Sequence, residues 1–235
     1  MKYGLLILPL LITIAATAQN CRLQLQHTVH GQPVKLNSIN YQNSAGDTFN
    51  ISVLKYYLSN ISFTNEKNQV ISGKNCFLIS EDSATSKTIE IKLPAGRYTS
   101  LSFMIGVDSL LNCTGAKDGA LDPIYGMFWT WNTGYIMAKL EGTSPSSKLP
   151  GNIIQFHIGG YRTPHITQRI VTLKLPVPLL VQSGTTPNIT LTGDIYNWFT
   201  GISFRQLAGF MTPGSAADRI ADNYQHMFSV KEITY

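Results

Sequence analysis

The sequence predicts an all-β fold, an antiparallel β-sandwich or barrel with one short C-terminal helix. Three observations carry that expectation: apolar and polar residues alternate along most of the chain, Gly, Pro, Asn or Ser closes each alternating run, and one late segment switches to helical spacing. Leu23, Leu25, His27 and Val29 fall on one strand face, with Gln24, Gln26, Thr28 and His30 on the other. The pattern resumes at Phe49, Ile51 and Val53, at Tyr57, Ser59, Ile61 and Phe63, and at Leu101, Phe103, Ile105 and Val107. Later strands are expected over residues 128–140, 153–158, 169–175, 188–191 and 228–233. Short strands at this spacing bury one face each by stacking as a sandwich or closing as a barrel. Within residues 215–228, Ala217, Ile220, Ala221, Tyr224 and Phe228 recur three and four apart, the period of a helix. Pro213-Gly214 precedes that segment, and Ser215 with Asp218 has the pattern of a capping box.

The start of the chain reads as a secretory leader. Lys2 precedes an apolar run too short to span a bilayer comfortably, and Ala16-Thr17-Ala18 supplies small residues for cleavage. This predicts a signal peptide over residues 1–18, a single domain over 19–235, and a periplasmic or secreted location, with no later membrane span. Gln19 and Asn20 stand where a lipoprotein would carry small residues before Cys21. The formal charge of +5 comes from scattered Lys and Arg, without the basic stripe that nucleic-acid binding requires. Three cysteines in an oxidising compartment allow one disulfide, and Cys76 with Cys113 is the expected pair, Cys21 being assigned to a fraying end. No CxxC pair is present, which argues against a cysteine zinc site.

The five histidines are the chain's main source of transition-metal ligands. His27 shares its face with Leu23 and Leu25, so it reads first as a hydrogen-bonded core residue. His157 lies on the face opposite Phe156 and Ile158, ahead of Gly159-Gly160. His30, His165 and His226 read as turn, loop and exposed helix residues. Trp129 and Trp131 are expected on one face of a single strand, either as a buried aromatic layer or as a pocket wall. Met211 is a soft thioether that could serve as a weak copper ligand, though methionine is more often packing filler. Asp108 and Asp122, in a Gly- and Asp-rich loop over residues 109–125, could hold a second ion such as calcium, although their spacing is not that of an EF-hand. No GxSxG, HExxH or P-loop pattern occurs, so the expectation is a protein that is not an enzyme.

Several elements stand out together: Gly106-Val107-Asp108-Ser109, Gly119-Ala120-Leu121-Asp122-Pro123, residues 126–135 with the pattern WxWxxGY, Glu141-Gly142, and Phe156-His157-Ile158-Gly159-Gly160. In this order they resemble the MbnP family of copper-binding proteins. Residues 25–33 and 56–61 extend the resemblance over nearly the whole chain. It implies an exported all-β protein that holds one copper ion through histidines beside a tryptophan that can be oxidised to kynurenine. It also implies a di-haem peroxidase of the MauG type as partner. Carried onto this sequence, the histidines are His27 and His157, converging on one metal, and either Trp129 or Trp131 is the modified residue. The four-cysteine pattern of better-known members is missing, which marks a divergent branch. Two rival readings stand beside this one: a metal-free module whose aromatic strand grips a glycan or a protein, and an enzyme that turns over a bound metal.

Overall fold

A computed structural model describes residues 18–130 and 132–235. The expected leader falls almost wholly on residues 1–17, outside the described residues, as does Trp131. The main strands, in chain order, are β1 (Ala18–Val29), β2 (Val53–Asn65), β3 (Cys76–Ser80), β4 (Thr88–Pro94), β5 (Gly96–Ile105), β6 (Phe128–Thr130), β7 (Gly134–Thr143), β8 (Ile153–Gly159), β9 (Arg169–Val181), β10 (Asn188–Asp194) and β11 (Phe228–Thr234). Two helices, α1 (Ser109–Cys113) and α2 (Ser215–Tyr224), complete the scaffold.

Two sheets form a β-sandwich. The smaller runs β11, β10, β1, β4, and includes a parallel pairing of β1 with β10 that the expectation of a purely antiparallel fold missed. The larger runs β9, β5, β2, β7, β8, with β3 and β6 paired alongside. Alternation on β1 is borne out in full: Cys21, Leu23, Leu25, His27 and Val29 are all buried. They meet Leu54, Tyr56 and Leu58 of β2, Ala138 and Leu140 of β7, and Phe156 and Ile158 of β8 in one core between the sheets. Among the described residues, no helix is long and apolar enough to cross a membrane.

Strand β2 departs from the expected pattern in an informative way. Tyr57 and Ser59 do not share a face with Ile61 and Phe63, because the core residues are Leu54, Tyr56 and Leu58 before Asn60, and Ile61 and Phe63 after it. Asn60 sits in the left-handed region at φ 53°, and the pairing with β5 shifts register between Ser59 and Ser62. An extra residue of this kind is a β-bulge, and it transfers the inward phase from even to odd positions. Strand β3 follows one edge of β2 from Lys55 to Ser59, so β7 and β5 take successive lengths of the opposite edge. Tyr57, turned outward, is buried by a second apolar cluster with Val107, Leu121, Met127 and Tyr135, supplied largely by the 107–127 segment.

Other boundaries move for local reasons. The strand expected over residues 128–140 is a hairpin: β6 ends at Thr130, the chain turns at Asn132-Thr133, and β7 returns beside it. Strand β9 passes Pro176 and Pro178, because it lies at the end of its sheet and its pairing with β5 resumes at Leu179. Helix α2 stops at Tyr224 and its capping box does not form. Gly214 is the N-cap, and the Asp218 carboxylate accepts from His165 Nδ1 at 2.6 Å instead. The Cys76–Cys113 disulfide is not present either. All three thiols are free, and Cys21 is wholly buried within β1 rather than at a fraying end. Burial pushes the Cys21 and Cys76 thiols up to about 12, while Cys113 is exposed.

A thiol-reactive probe is therefore expected to modify Cys113 first in the native protein and to reach Cys21 only after unfolding, which labelling followed by peptide mass analysis would show. Replacing Asn60 with Val should lower stability by about 1–2 kcal/mol, since a β-branched residue resists the left-handed conformation. Chemical denaturation would measure that loss.

Candidate functional site

His27 lies between the sheets, where both of its ring nitrogens are engaged. Nδ1 lies 2.5 Å from Glu81 Oε2 and Nε2 lies 2.7 Å from the Tyr56 hydroxyl, with the histidine side chain fully buried. Burial alone would raise the Glu81 carboxyl, but hydrogen bonds from His27 and from Lys87, at 2.8 Å, outweigh it and hold the group below its ordinary value. An ionised carboxylate only accepts, so Nδ1 donates to Glu81, and the Tyr56 hydroxyl donates to Nε2. Burial and the Glu81 charge push the Tyr56 phenol well up, which keeps that proton in place. No ring nitrogen of His27 is left for a metal.

His157 is placed differently. Ile154, Phe156 and Ile158 of β8 enter the main core, which turns Gln155, His157 and Gly159 to the outer face of the larger sheet. On β7 the same face carries Lys139, directly opposite His157, and Glu141, opposite Gln155. Glu141 Oε1 lies 2.6 Å from His157 Nε2 and 3.2 Å from Lys139 Nζ. Burial would raise the Glu141 carboxyl, yet the bonds from His157, Gln155 and Lys139 bring it below its usual value. Burial also lowers the His157 pKa, against the pull of Glu141 and with the help of Lys139. The imidazole is therefore uncharged at neutral pH, Nε2 donates to Glu141, and Nδ1 keeps its lone pair. No described residue hydrogen-bonds that nitrogen.

Trp129 stands on the same face. A Cβ on Gly159 would lie 2.5 Å from Trp129 Cζ3, so the indole rests on the bare backbone of this glycine. Gly159 is two residues along β8 from His157, a separation of roughly 7 Å. The outer face thus brings together an anchored histidine, a carboxylate, a lysine and a half-buried tryptophan.

The structure does not bring His27 and His157 together. The larger sheet separates them, because Tyr56, the partner of His27, points inward while its neighbour Lys55 shares the outer row with Lys139 and His157. The expected pairing of Trp129 with Trp131 on one strand face falls on Trp131, which lies outside the described residues. Met211 is exposed. Asp108 and Asp122 each cap a helical turn, accepting from the backbone N–H of Leu110 and of Ile124. His30 packs on Tyr196, His165 binds Asp218, and His226 is exposed. Among the described residues, no group of three or more His, Cys, Asp and Glu side chains converges as a metal cage. Reading the sequence missed Glu81 and Glu141, the partners that decide what each histidine can do. Alternation identifies the face of a residue but not its cross-strand neighbour.

A β-sandwich whose outer sheet face is covered by a long loop and carries an anchored histidine defines the class of this protein. A sequence model of the MbnP family matches residues 18–213, and the chain belongs to that family. No curated protein sequence matches it. Among solved structures it is similar to MbnP from Methylosinus trichosporium, with a TM-score of 0.57 and 14% identity, over 86% of this chain and 87% of that one. At that identity the likeness shows a shared fold.

The lowered pKa of His157 has a signed consequence. The unfolded chain takes up a proton on this residue more readily than the folded one, so the contribution of His157 to stability is complete above about pH 6.5. It is lost as the pH falls through the lower folded value. Denaturation midpoints between pH 7.5 and 5 should fall less steeply in His157→Gln than in the parent protein. By contrast, His27→Ala would leave the Tyr56 hydroxyl without a partner and Glu81 with Lys87 alone, and should cost about 3–5 kcal/mol at neutral pH.

Proposed function

We propose that this MbnP-family chain is an exported copper-binding protein whose copper site lies on the outer sheet face at His157, not between His27 and His157. One observation carries the reading: Glu141 fixes His157 Nε2, leaving Nδ1 unpaired on the sheet face that also carries Trp129. Histidines that ligate metals characteristically donate their other N–H to a carboxylate, which sets the tautomer and strengthens the donor nitrogen. An uncharged imidazole is also what a borderline-soft ion selects. The Lys139–Glu141 ion pair is neutral overall, so the charge beside His157 is balanced.

His157 fits the role of a copper ligand and His27 does not. With one histidine as the protein's principal donor, the site suits acquisition and release more than permanent storage. When bound, copper would supply a redox-active centre next to Trp129. This chain's own contribution is to hold Nδ1 unprotonated, to orient the ring through Glu141, and to carry an indole on the same sheet face. Trp129 is accordingly the tryptophan we assign to oxidation toward kynurenine, with a di-haem peroxidase of the MauG type as its oxidising partner.

Titration with Cu(I) against a competing chelator tests this. His157→Ala should weaken binding by more than about tenfold and Glu141→Gln by about tenfold, whereas His27→Gln should keep the parent affinity despite its lower stability. Unchanged affinity in His157→Ala would overturn the assignment. An intact mass of protein from its native host that departs from the encoded value, and returns to it in Trp129→Phe, is the result expected for the modification.

A further inference from the structure

The outer row that holds His157 continues across the sheet into a cleft. Register places Ser80 of β3 opposite Lys55 of β2, Lys55 opposite Lys139 of β7, and Lys139 opposite His157 of β8. Like charges directly opposite each other on adjacent strands destabilise a sheet. Lys139 is compensated by Glu141, but Lys55 reaches only the Tyr125 carbonyl, at 3.4 Å, and has no carboxylate partner among the described residues. This uncompensated ammonium opens into a cavity of about 460 Å³ between the 81–88 loop and Tyr125. That volume is within the range of small-molecule sites.

The walls of the cavity select among anions. Tyr125 is 45% exposed and lines the cavity. Opposite it, the 81–88 loop contributes Asp82 and the hydroxyls of Ser83, Thr85 and Thr88. Asp82 accepts the Ser80 hydroxyl through one oxygen only, so its second oxygen remains an acceptor. A cleft with one cation, one free carboxylate oxygen, several hydroxyls and an aromatic face matches a ligand with an acid group, several hydroxyls and a flat apolar side.

We propose that this cleft binds an acidic saccharide, with the sugar carboxylate on Lys55, ring hydroxyls on Asp82 and the loop hydroxyls, and the apolar face of the pyranose against Tyr125. The site is separate from the His157 centre and does not depend on copper. It also differs from a glycan surface built on the tryptophans, since Trp129 is packed on Gly159.

Titration of the metal-free protein with glucuronate, followed by NMR and calorimetry, is the test, with glucose as the neutral control. Saturable binding of glucuronate is expected, weakened roughly tenfold in Lys55→Met, the size of one charge-assisted hydrogen bond. Tyr125→Ala should weaken it as well. Both residues are partly exposed, and thermal melts of the variants would verify that they fold. No binding of glucuronate at 10 mM, about the weakest affinity such a contact set allows, would overturn the proposal. Equal binding of glucose, or unchanged affinity in a folded Lys55→Met, would overturn it too.

Discussion

The hydrogen-bonded chain from Tyr56 through His27 to Glu81 and Lys87 ties the two sheets together. His27 comes from the smaller sheet, Tyr56 from the larger, and Glu81 from the segment that leaves β3. A buried imidazole without partners would destabilise the core, whereas here every polar atom of the ring is met. The chain therefore fixes how the sheets stack, since sliding one over the other would break two short hydrogen bonds at once. It also places Glu81 at the root of the 81–88 loop, whose outer side forms one wall of the acidic-sugar cleft. In this way a core interaction positions a surface feature.

The outer face depends on a second constraint, the bulge at Asn60. Without the phase change there, β2 could not direct Tyr56 and Leu58 into the main core and also Ile61 and Phe63 further along. Ser59, turned outward, donates its hydroxyl to the Gly106 carbonyl at 2.7 Å, which secures the start of the covering segment. Asn60 Nδ2 reaches Asp108 at 3.0 Å, so the carboxylate that caps α1 is held to the bulge itself. The loop over the outer face is thus anchored to β2.

The two buried histidines illustrate how partners decide chemistry. Each faces a carboxylate at close to 2.5 Å. Tyr56 occupies the remaining nitrogen of His27 and makes it a structural link, while no described residue occupies that of His157. Burial lowers the His157 pKa and Glu141 orients the ring, a combination that produces a nitrogen donor at neutral pH. The family relationship rests on a sequence match over residues 18–213 and on a shared fold at low identity. The copper reading is our own, built on that nitrogen.

The sequence by itself determined that the chain is mostly strands, with one helix near its C-terminus and the inward face of β1, because period-two alternation is a local property that survives without knowledge of partners. It also placed His157 opposite Phe156 and Ile158, and its motifs carried the family. It did not reveal the bulge at Asn60, since a one-residue shift leaves the alternation on each side intact. The parallel pairing of β1 with β10 and the extension of β9 past its prolines were hidden for a related reason: pairing direction and edge position belong to the sheet, not the strand. Likewise the capping box is lost because the helix begins at Ser215 with Gly214 as its N-cap, a one-residue offset that the sequence pattern does not reveal. Only the tertiary structure decided which histidine could meet a metal. Glu81 and Glu141 lie 54 and 16 residues from their histidines, and the two faces of one sheet, which keep His27 and His157 apart, exist only once the strands have paired.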